Sequence, residues 1–489
     1  STACPSMPVR ITPDRAWPLL DTAATRQLEQ AAAAALPAHT LMQRAGLATA
    51  RLALALSPHA QTIWIACGPG NNGGDGLEAA MHLRRWGKAA VVTWLGTPAQ
   101  APPDTRSAWE RASAAGVTLA DAPPGQPDLV IDALLGIGAN RAPGGQLADW
   151  AARMNAGPAP VLAVDVPSGL DADTGTGAAV RARWTLSLLA LKPGLFTAGG
   201  RDACGDTWFD ALDVVAHDFS IAPAAWLTGP PGAVLRPHAS HKGSYGDVAV
   251  IGGAPGMGGA AVLAASAALR GGAGRVFTCL LDPNAPLLDT GHPELMLRAW
   301  ATLDLSSMSV ACGCGGGDAI RSALPGVLST ARALVLDADA LNAIAADAAL
   351  QTLLQARAGR PGRQTVLTPH PLEAARLLAC DTAAVQADRL KAATALAQRF
   401  GAVVALKGSG TVVAAPGHTP CINPTGSARL ATAGTGDVLA GLMAAQLAAG
   451  MLAFDAACSA VFLHGQAADG WPARLALTAS GLASALRPA

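Results

Sequence analysis

The chain has 489 residues, of which 51% are hydrophobic and only 14% charged, with 54 glycines. That length predicts two or three domains with real cores, and the composition excludes an intrinsically disordered chain. Lys plus Arg equals Asp plus Glu at 34 each, so net charge offers no attraction for a polyanion and no nucleic-acid partner is expected. Residues 21–56 are Ala-rich and read as helix, with Pro37 as the interruption. Residues 62–66 then read as a buried strand, followed by a glycine-rich loop and a helical pattern over 77–86. Residues 90–95, 129–134 and 161–166 read as further buried strands. Strands alternating with helices predict a parallel sheet covered on both faces. Across 213–240 the pattern lapses into a Pro-rich connector, which predicts a boundary near residue 225 and domains of 1–225 and 226–489. A second α/β series follows, with strands expected at 247–252, 275–281, 309–312, 333–336, 365–368 and 403–406.

The nine cysteines are scattered, and Cys312 and Cys314 are the one close pair. This usage reads as reduced thiols in a reducing compartment, the cytoplasm fitting best, and not as a disulfide framework or a zinc site. The N-terminus lacks the basic start and apolar core of a secretory signal. Residues 438–454 are apolar but fall short of a membrane span and include Gln446, so they read as a buried helix and no membrane partner is expected.

Between the first strand and its helix runs Cys67-Gly-Pro-Gly-Asn-Asn-Gly-Gly-Asp-Gly76. Glycines let a backbone approach an anion closely, and a helix start offers free N–H groups, so phosphate is the natural guest. Asn71, Asn72 and Asp75 add oxygens that suit a cation or hydroxyls. Asp132 opens a DALLGIG run, and Asp165-Val-Pro-Ser168-Gly-Leu-Asp171 follows a later strand. Carboxyl ends of parallel strands converge on one crevice, which gathers Asn72, Asp132, Asp165 and Ser168 into an all-oxygen set suited to a hard cation.

In the second half, Ala431-Thr-Ala-Gly-Thr-Gly-Asp437-Val-Leu-Ala-Gly441 turns through glycines into an apolar helix. Its amides can face phosphate oxygens while the Asp437 carboxylate takes a proton from an attacking hydroxyl; the plainer alternative is a helix cap. Lys407-Gly-Ser-Gly-Thr411 reads as a strand-to-strand turn that can grip nucleotide phosphates. His241-Lys-Gly-Ser-Tyr-Gly246 and Gly252-Gly-Ala-Pro-Gly-Met-Gly-Gly-Ala260 bracket a strand in the order of an anion site. Thr368-Pro-His370-Pro fixes an imidazole at a strand end between rigid prolines. Asp337-Ala-Asp339 reads as a capped helix start.

GPGNNGGDG, DALLGIG, DVPSGLD, Leu191-Lys-Pro-Gly-Leu195 and Leu41-Met-Gln-Arg-Ala-Gly46 resemble the YjeF N-terminal domain, NAD(P)H-hydrate epimerase, over roughly residues 15–220. Gln43 stands where that family usually has Glu. HKGSYG, IGGAPGMGGAA, LDADALN, TPHPLEAARLL, LKGSGT and ATAGTGDVLAG resemble, in order over roughly 230–486, the YjeF C-terminal domain, an ADP-dependent NAD(P)H-hydrate dehydratase of the ribokinase-like superfamily. Cys312-Gly-Cys-Gly315 departs from that family's usual Pro-Gly-Leu-Gly turn. The fold class implied is α/β: a Rossmann-like three-layer domain followed by a ribokinase-like α/β domain. The activity implied is nicotinamide-nucleotide repair: R and S forms of hydrated NADH or NADPH are interconverted, and the S form is dehydrated at the expense of ADP, giving AMP and phosphate. The cofactors implied are potassium and magnesium, with ADP as co-substrate, and a homo-oligomer is expected.

The same resemblance implies site residues. Asn71, Asn72, Gly73, Gly74 and Asp75 would hold the hydrated dinucleotide, Gly136, Ile137, Gly138, Ala139, Asn140 and Arg141 would cover its phosphates, and Asp165 would face the nicotinamide as a catalytic residue. Asn72, Asp132 and Ser168 would ligate potassium. In the second domain Ala260, Gly315 and His370 would contact substrate. Lys407, Gly408, Ser409, Gly410, Thr411 and Gly436 would bind ADP, and Asp437 would be the catalytic base. A ribokinase-type small-molecule kinase and a non-enzymatic dinucleotide sensor are the competing readings.

Overall fold

The computed structural model describes residues 7–139, 142–233 and 235–488. Chain contacts divide it into two compact units, one built on Trp17–Ala225 and the other on the chain from Trp226 onward.

The first unit carries an eight-stranded sheet in the order 9–10, 206–210, 184–188, 161–164, 129–133, 62–67, 89–94 and 118–119. All its pairings are parallel except that of the short 9–10 strand. Strand Thr62–Cys67 shows why the sheet is covered on both faces. Ile63, Ile65 and Cys67 pack into one apolar core with Leu28, Met42, Leu77 and Met81, whereas Trp64 and Ala66 pack into another with Trp150 and Met154. The expected helix across 21–56 is two helices, Thr22–Ala34 and Thr40–Leu56, and Pro37 lies in the break. Helix Asn71–Arg85 starts earlier than its apolar pattern, so only residues 68–70 form the turn and Asn71–Gly76 are already helical. The strand 184–188 has no glycine-rich turn to mark it and is absent from the sequence reading.

In the second unit the strand order is 296–297, 275–280, 247–252, 309–312, 333–336, 364–367, 403–406, 412–414, 421–422 and 225–227. The six longer expected strands appear within a residue of their expected bounds. Strand Val403–Leu406 turns back antiparallel into Val412–Ala414, so the Lys407–Thr411 run is a strand-to-strand turn. The Pro-rich connector is more ordered than expected: Trp226 and Leu227 pair with Cys421 and Ile422. Residues 438–454 do not form one helix. Helix Thr435–Ala448 ends, Gly450 turns with φ 93°, and helix Ala453–Asp469 follows. No helix among the described residues is long and apolar enough to cross a membrane. Gly441 of the first of these helices lies so close to helix Gly258–Arg270 that an added Cβ would stand 1.8 Å from the Ala264 carbonyl oxygen.

Candidate active sites

In the first unit, strand Thr62–Cys67 lies between two strands that both follow it in sequence, 89–94 on one side and 129–133 on the other. Such a reversal of strand order opens a crevice at the carboxyl ends. A cavity of about 640 Å3 occupies it, lined among others by Asn71, Asn72, Asp75, Gly136 and Asp165. Ile137, Gly138 and Ala139 line it as well, while Asn140 and Arg141 lie outside the described residues. Gly73 and Gly74 are buried, and a Cβ on them would meet the Gly68 carbonyl oxygen at 1.9 Å and the Met42 thioether at 2.6 Å. At these two positions the missing side chain makes room for the protein's own chain.

Asp165 sits just past strand Val161–Val164 with φ 71°, a left-handed conformation that costs a non-glycine residue free energy. The turn aims its carboxylate back at Lys192, whose fully buried ammonium lies 2.5 Å from Asp165 Oδ1. Lys192 also donates to Ser187 Oγ at 3.1 Å and to the Leu188 carbonyl at 2.9 Å, which satisfies all three of its N–H groups. Burial, and then the charge on Asp165, raises the Asp75 carboxyl well above the usual carboxylate range. A protonated Asp75 can donate a hydrogen bond into the cavity.

Below the same loops, Ser168 Oγ donates to Asp132 Oδ1 at 2.5 Å and accepts from Leu135 N–H at 3.0 Å. Ser168 N–H also donates to Asp132 Oδ2 at 2.8 Å. Burial raises the Asp132 carboxyl, and these Ser168 bonds oppose the shift. Asn72 donates through Nδ2 to the Val164 carbonyl at 3.0 Å, and its side chain packs on Gly136. Its Oδ1 is buried without a hydrogen-bond partner. A buried amide oxygen left without a donor suits a cation.

The second unit repeats the topology: strand Asp247–Gly252 lies between 275–280 and 309–312. Its following loop is tied to the next turn by Gly253 N–H on the Cys314 carbonyl and Ala254 N–H on the Gly315 carbonyl. Gly315, with φ 61°, packs against Ala260, where an added Cβ would approach the Ala260 Cβ to 2.9 Å. Asp437 lies in the first turn of helix Thr435–Ala448, whose N-terminus has no side-chain cap. Its carboxylate gathers instead with Cys314 and Asp337, the three groups' ligand-type atoms all lying within 4.8 Å of one another. Burial first, and then the charge on Asp337, pushes Asp437 up to about 6, against the opposing effects of the Cys314 hydrogen bond and Lys407.

Lys407 donates to Asp337 Oδ1 at 2.9 Å, as does Thr368 Oγ1 at 2.9 Å. Gly436 lies close by, since a Cβ there would stand 3.2 Å from Lys407 Nζ. The backbone of the Lys407–Thr411 turn is held by Arg389, which is 1% exposed and donates to the Leu406 and Lys407 carbonyls at 3.0 and 3.2 Å. Gly408, with φ 146°, passes so close to that guanidinium that a Cβ would lie 2.8 Å from Nη2. Ser409 is exposed at the tip of the turn, Gly410 is buried, and Thr411 accepts Asn423 N–H at its carbonyl. His370 is the N-cap of helix Pro371–Leu378, accepting Glu373 N–H at 3.3 Å, so its imidazole has a structural task at the rim of the site. The expected cap at Asp339 is not formed; that carboxylate accepts Gly317 N–H at 2.8 Å.

Four functional candidates escaped the sequence reading. Lys192 stood inside a quoted run, but nothing in the run shows that it reaches Asp165. Arg389 and His464 lie in helical patterns that look like ordinary surface and core. Burial lowers His464 to about 4, so its neutral ring donates through Nε2 to the Thr435 carbonyl at 2.8 Å and pins the helix that carries Asp437. Cys314 stays a thiol, since burial and then the charge on Asp337 hold its proton, and it donates to Asp337 Oδ2 at 3.8 Å.

Comparison with known proteins agrees with both halves. Residues 248–487 match the family model described as NAD(P)H-hydrate dehydratase, and residues 38–194 match that of the YjeF-related protein N-terminus. The chain is 37% identical over 467 residues to the bifunctional NAD(P)H-hydrate repair enzyme of Escherichia coli K12, covering 89% of this chain and 86% of that one. It is 35% identical to the Coxiella burnetii enzyme of the same name, covering 91% and 93%. The ADP-dependent (S)-NAD(P)H-hydrate dehydratase of Neisseria meningitidis is 44% identical over 52% of this chain and 86% of its own. A crystal structure of the ADP/ATP-dependent NAD(P)H-hydrate dehydratase of Bacillus subtilis, co-crystallised with ATP and Mg2+, aligns at 31% identity and a TM-score of 0.44, covering 52% of this chain and 91% of that one. With near full-length identity of this order and both modules in the same chain, the protein belongs to the family of bifunctional NAD(P)H-hydrate repair enzymes, in which an epimerase is joined to a dehydratase.

Proposed function

We propose that the chain rescues both isomers of hydrated NADH and NADPH, with residues 1–225 exchanging R and S forms and residues 226–489 dehydrating the S form with ADP. The observation that carries the dehydratase half is Asp437, uncapped at its helix start, raised to about 6, and beside Lys407 and Gly436. A base of that strength can take a hydroxyl proton near neutral pH.

The hydroxyl on the hydrated ring loses its proton to Asp437 as its oxygen bonds the terminal phosphorus of ADP, and the bond from phosphorus to AMP breaks. Phosphate then departs with the C–O electron pair, the ring nitrogen's lone pair assisting. A proton lost from the adjacent carbon restores the ring double bond. Lys407, the amides of Gly408, Ser409, Gly410 and Thr411, and Gly436 are assigned to ADP, which enters as its magnesium complex. Ala260, Gly315 and His370 are assigned to the hydrated ring and its sugar.

In the first unit Asp165 is assigned to the carbinol of the nicotinamide, moving the proton that lets water leave one face and return on the other. Lys192 fixes the carboxylate for that task. Asn71, Asn72, Gly73, Gly74 and Asp75 are assigned to the substrate, with Gly136, Ile137, Gly138, Ala139, Asn140 and Arg141 over its phosphates. Asn72, Asp132 and Ser168 would hold potassium, and the unpartnered Asn72 oxygen supports this. The cation would supply positive charge beside the substrate's phosphates. Thiols that remain free in all eight described cysteines suit a cytoplasmic enzyme.

The test is recovery of reduced-nicotinamide absorbance from a mixture of hydrated NADH isomers given ADP, magnesium and potassium. Full recovery is expected. Recovery of one isomer alone removes the epimerase assignment, and accumulation of a stable phosphorylated product favours a simple kinase. Replacing ADP by ATP in the same assay identifies the donor.

A further inference from the structure

A second cavity, of about 240 Å3, lies in the C-terminal unit against strand Arg275–Leu280. Val262, Leu280, Leu288 and Leu297 give it apolar walls, and its polar lining includes Thr278 and Asp289. One oxygen of the Asp289 carboxylate, Oδ1, accepts the Gly291 and His292 N–H groups. The Thr278 hydroxyl is unpaired: the residue is 1% exposed and its Oγ1 has no hydrogen-bond partner. A buried hydroxyl left unpaired on a cavity wall costs free energy that a ligand can recover.

The cavity's place along the sheet indicates which ligand. Lys407 follows strand 403–406, Asp337 follows 333–336, and the Gly315 turn follows 309–312. Beyond it come 247–252 and then 275–280, whose Leu280 pairs with Gly252. Val262 stands two residues along the helix from Ala260. Two strand spacings place the cavity's strand roughly 10 Å from that of Gly315, on the side away from Lys407.

Resting on the reading of Asp437 given above, we propose that this cavity binds the adenine of the hydrated dinucleotide. A dinucleotide whose reacting ring lies by Asp437 cannot extend toward the Lys407–Thr411 turn if that turn is assigned to ADP, and in the other direction along the sheet lies the strand that carries this cavity. A purine offers flat faces for the leucine walls, and either a ring nitrogen or the exocyclic amine for Thr278.

The experiment measures ADP-dependent kcat/KM in the intact chain for two substrates, the S hydrate of NADH and the S hydrate of reduced nicotinamide mononucleotide, which lacks the adenosine half. Wild type is expected to prefer the dinucleotide. Thr278→Val should narrow that preference about fivefold through the dinucleotide's KM. Val262→Phe, which fills the cavity, should narrow it further. The proposal is overturned if wild type shows no preference, or if the variants change neither substrate or both equally. Absence of turnover of either substrate in wild type would instead overturn the reading of Asp437.

Discussion

Each unit sets a candidate carboxylate near a lysine, Asp165 just past strand Val161–Val164 and Asp437 in the first turn of helix Thr435–Ala448, and the two are treated differently. Asp165 is gripped directly by the buried Lys192 ammonium. Asp437 has a lysine nearby too, but Lys407 bonds Asp337, and the net effect of burial and the Asp337 charge is to raise Asp437 to about 6. A direct ion pair fixes a carboxylate in place; burial, with the cation bonded to a neighbouring carboxylate, raises Asp437 to about 6, which suits a group assigned to accept a proton during phosphoryl transfer.

The largest effect should come from removing the proposed proton acceptor. Asp437→Asn should lower ADP-dependent dehydration by a factor of about 10^3 while isomer exchange, followed by NMR, continues at the wild-type rate. Near-normal dehydration in that variant would remove Asp437 from the base role. Lys192→Met tests the other carboxylate. It should slow isomer exchange by about 10^2 and cost about 3 kcal/mol in denaturant unfolding of the first unit, because Asp165 is left buried without its partner. If exchange is unaffected, the pairing is structural only.

Arg389→Met should raise the KM for ADP about tenfold with a smaller change in kcat, since the Lys407–Thr411 backbone loses two carbonyl anchors. The smallest effect is on pH. The proposed base must be ionised to act, so dehydratase kcat/KM should rise with pH through about 6 and then level. Asp337→Asn removes a charge that raises Asp437, so the limb should move to lower pH. Stability has the opposite sign: between about 3.8 and 6 the folded Asp437 keeps a proton that the unfolded chain releases, so this group makes folding less favourable as pH rises through that window. A limb that stays put in Asp337→Asn would break the comparison between the two carboxylates.

Strands such as Ala333–Leu336 and Val403–Leu406 were legible because they are short, fully apolar runs bounded by glycine or charge, whereas two- and three-residue strands such as Val412–Ala414 were not read. The signature loops were legible because glycines cluster where strand gives way to helix. What sequence left unread is what depends on approach in space. Lys192 and Asp165 are 27 residues apart and meet only because Asp165 takes a left-handed turn. Arg389 reaches a turn 18 residues ahead from the first position of a helix, where its charge resembles any surface arginine. Helix Asn71–Arg85 began early because its first turns are glycine-rich, and glycine gives no apolar period to read.

The bare approach of Gly441 to the Ala264 carbonyl has a mechanical consequence. At that one point the helix that presents Asp437 meets the backbone of the helix that presents Ala260 with no side chain between them, so a side chain added there would wedge the two apart.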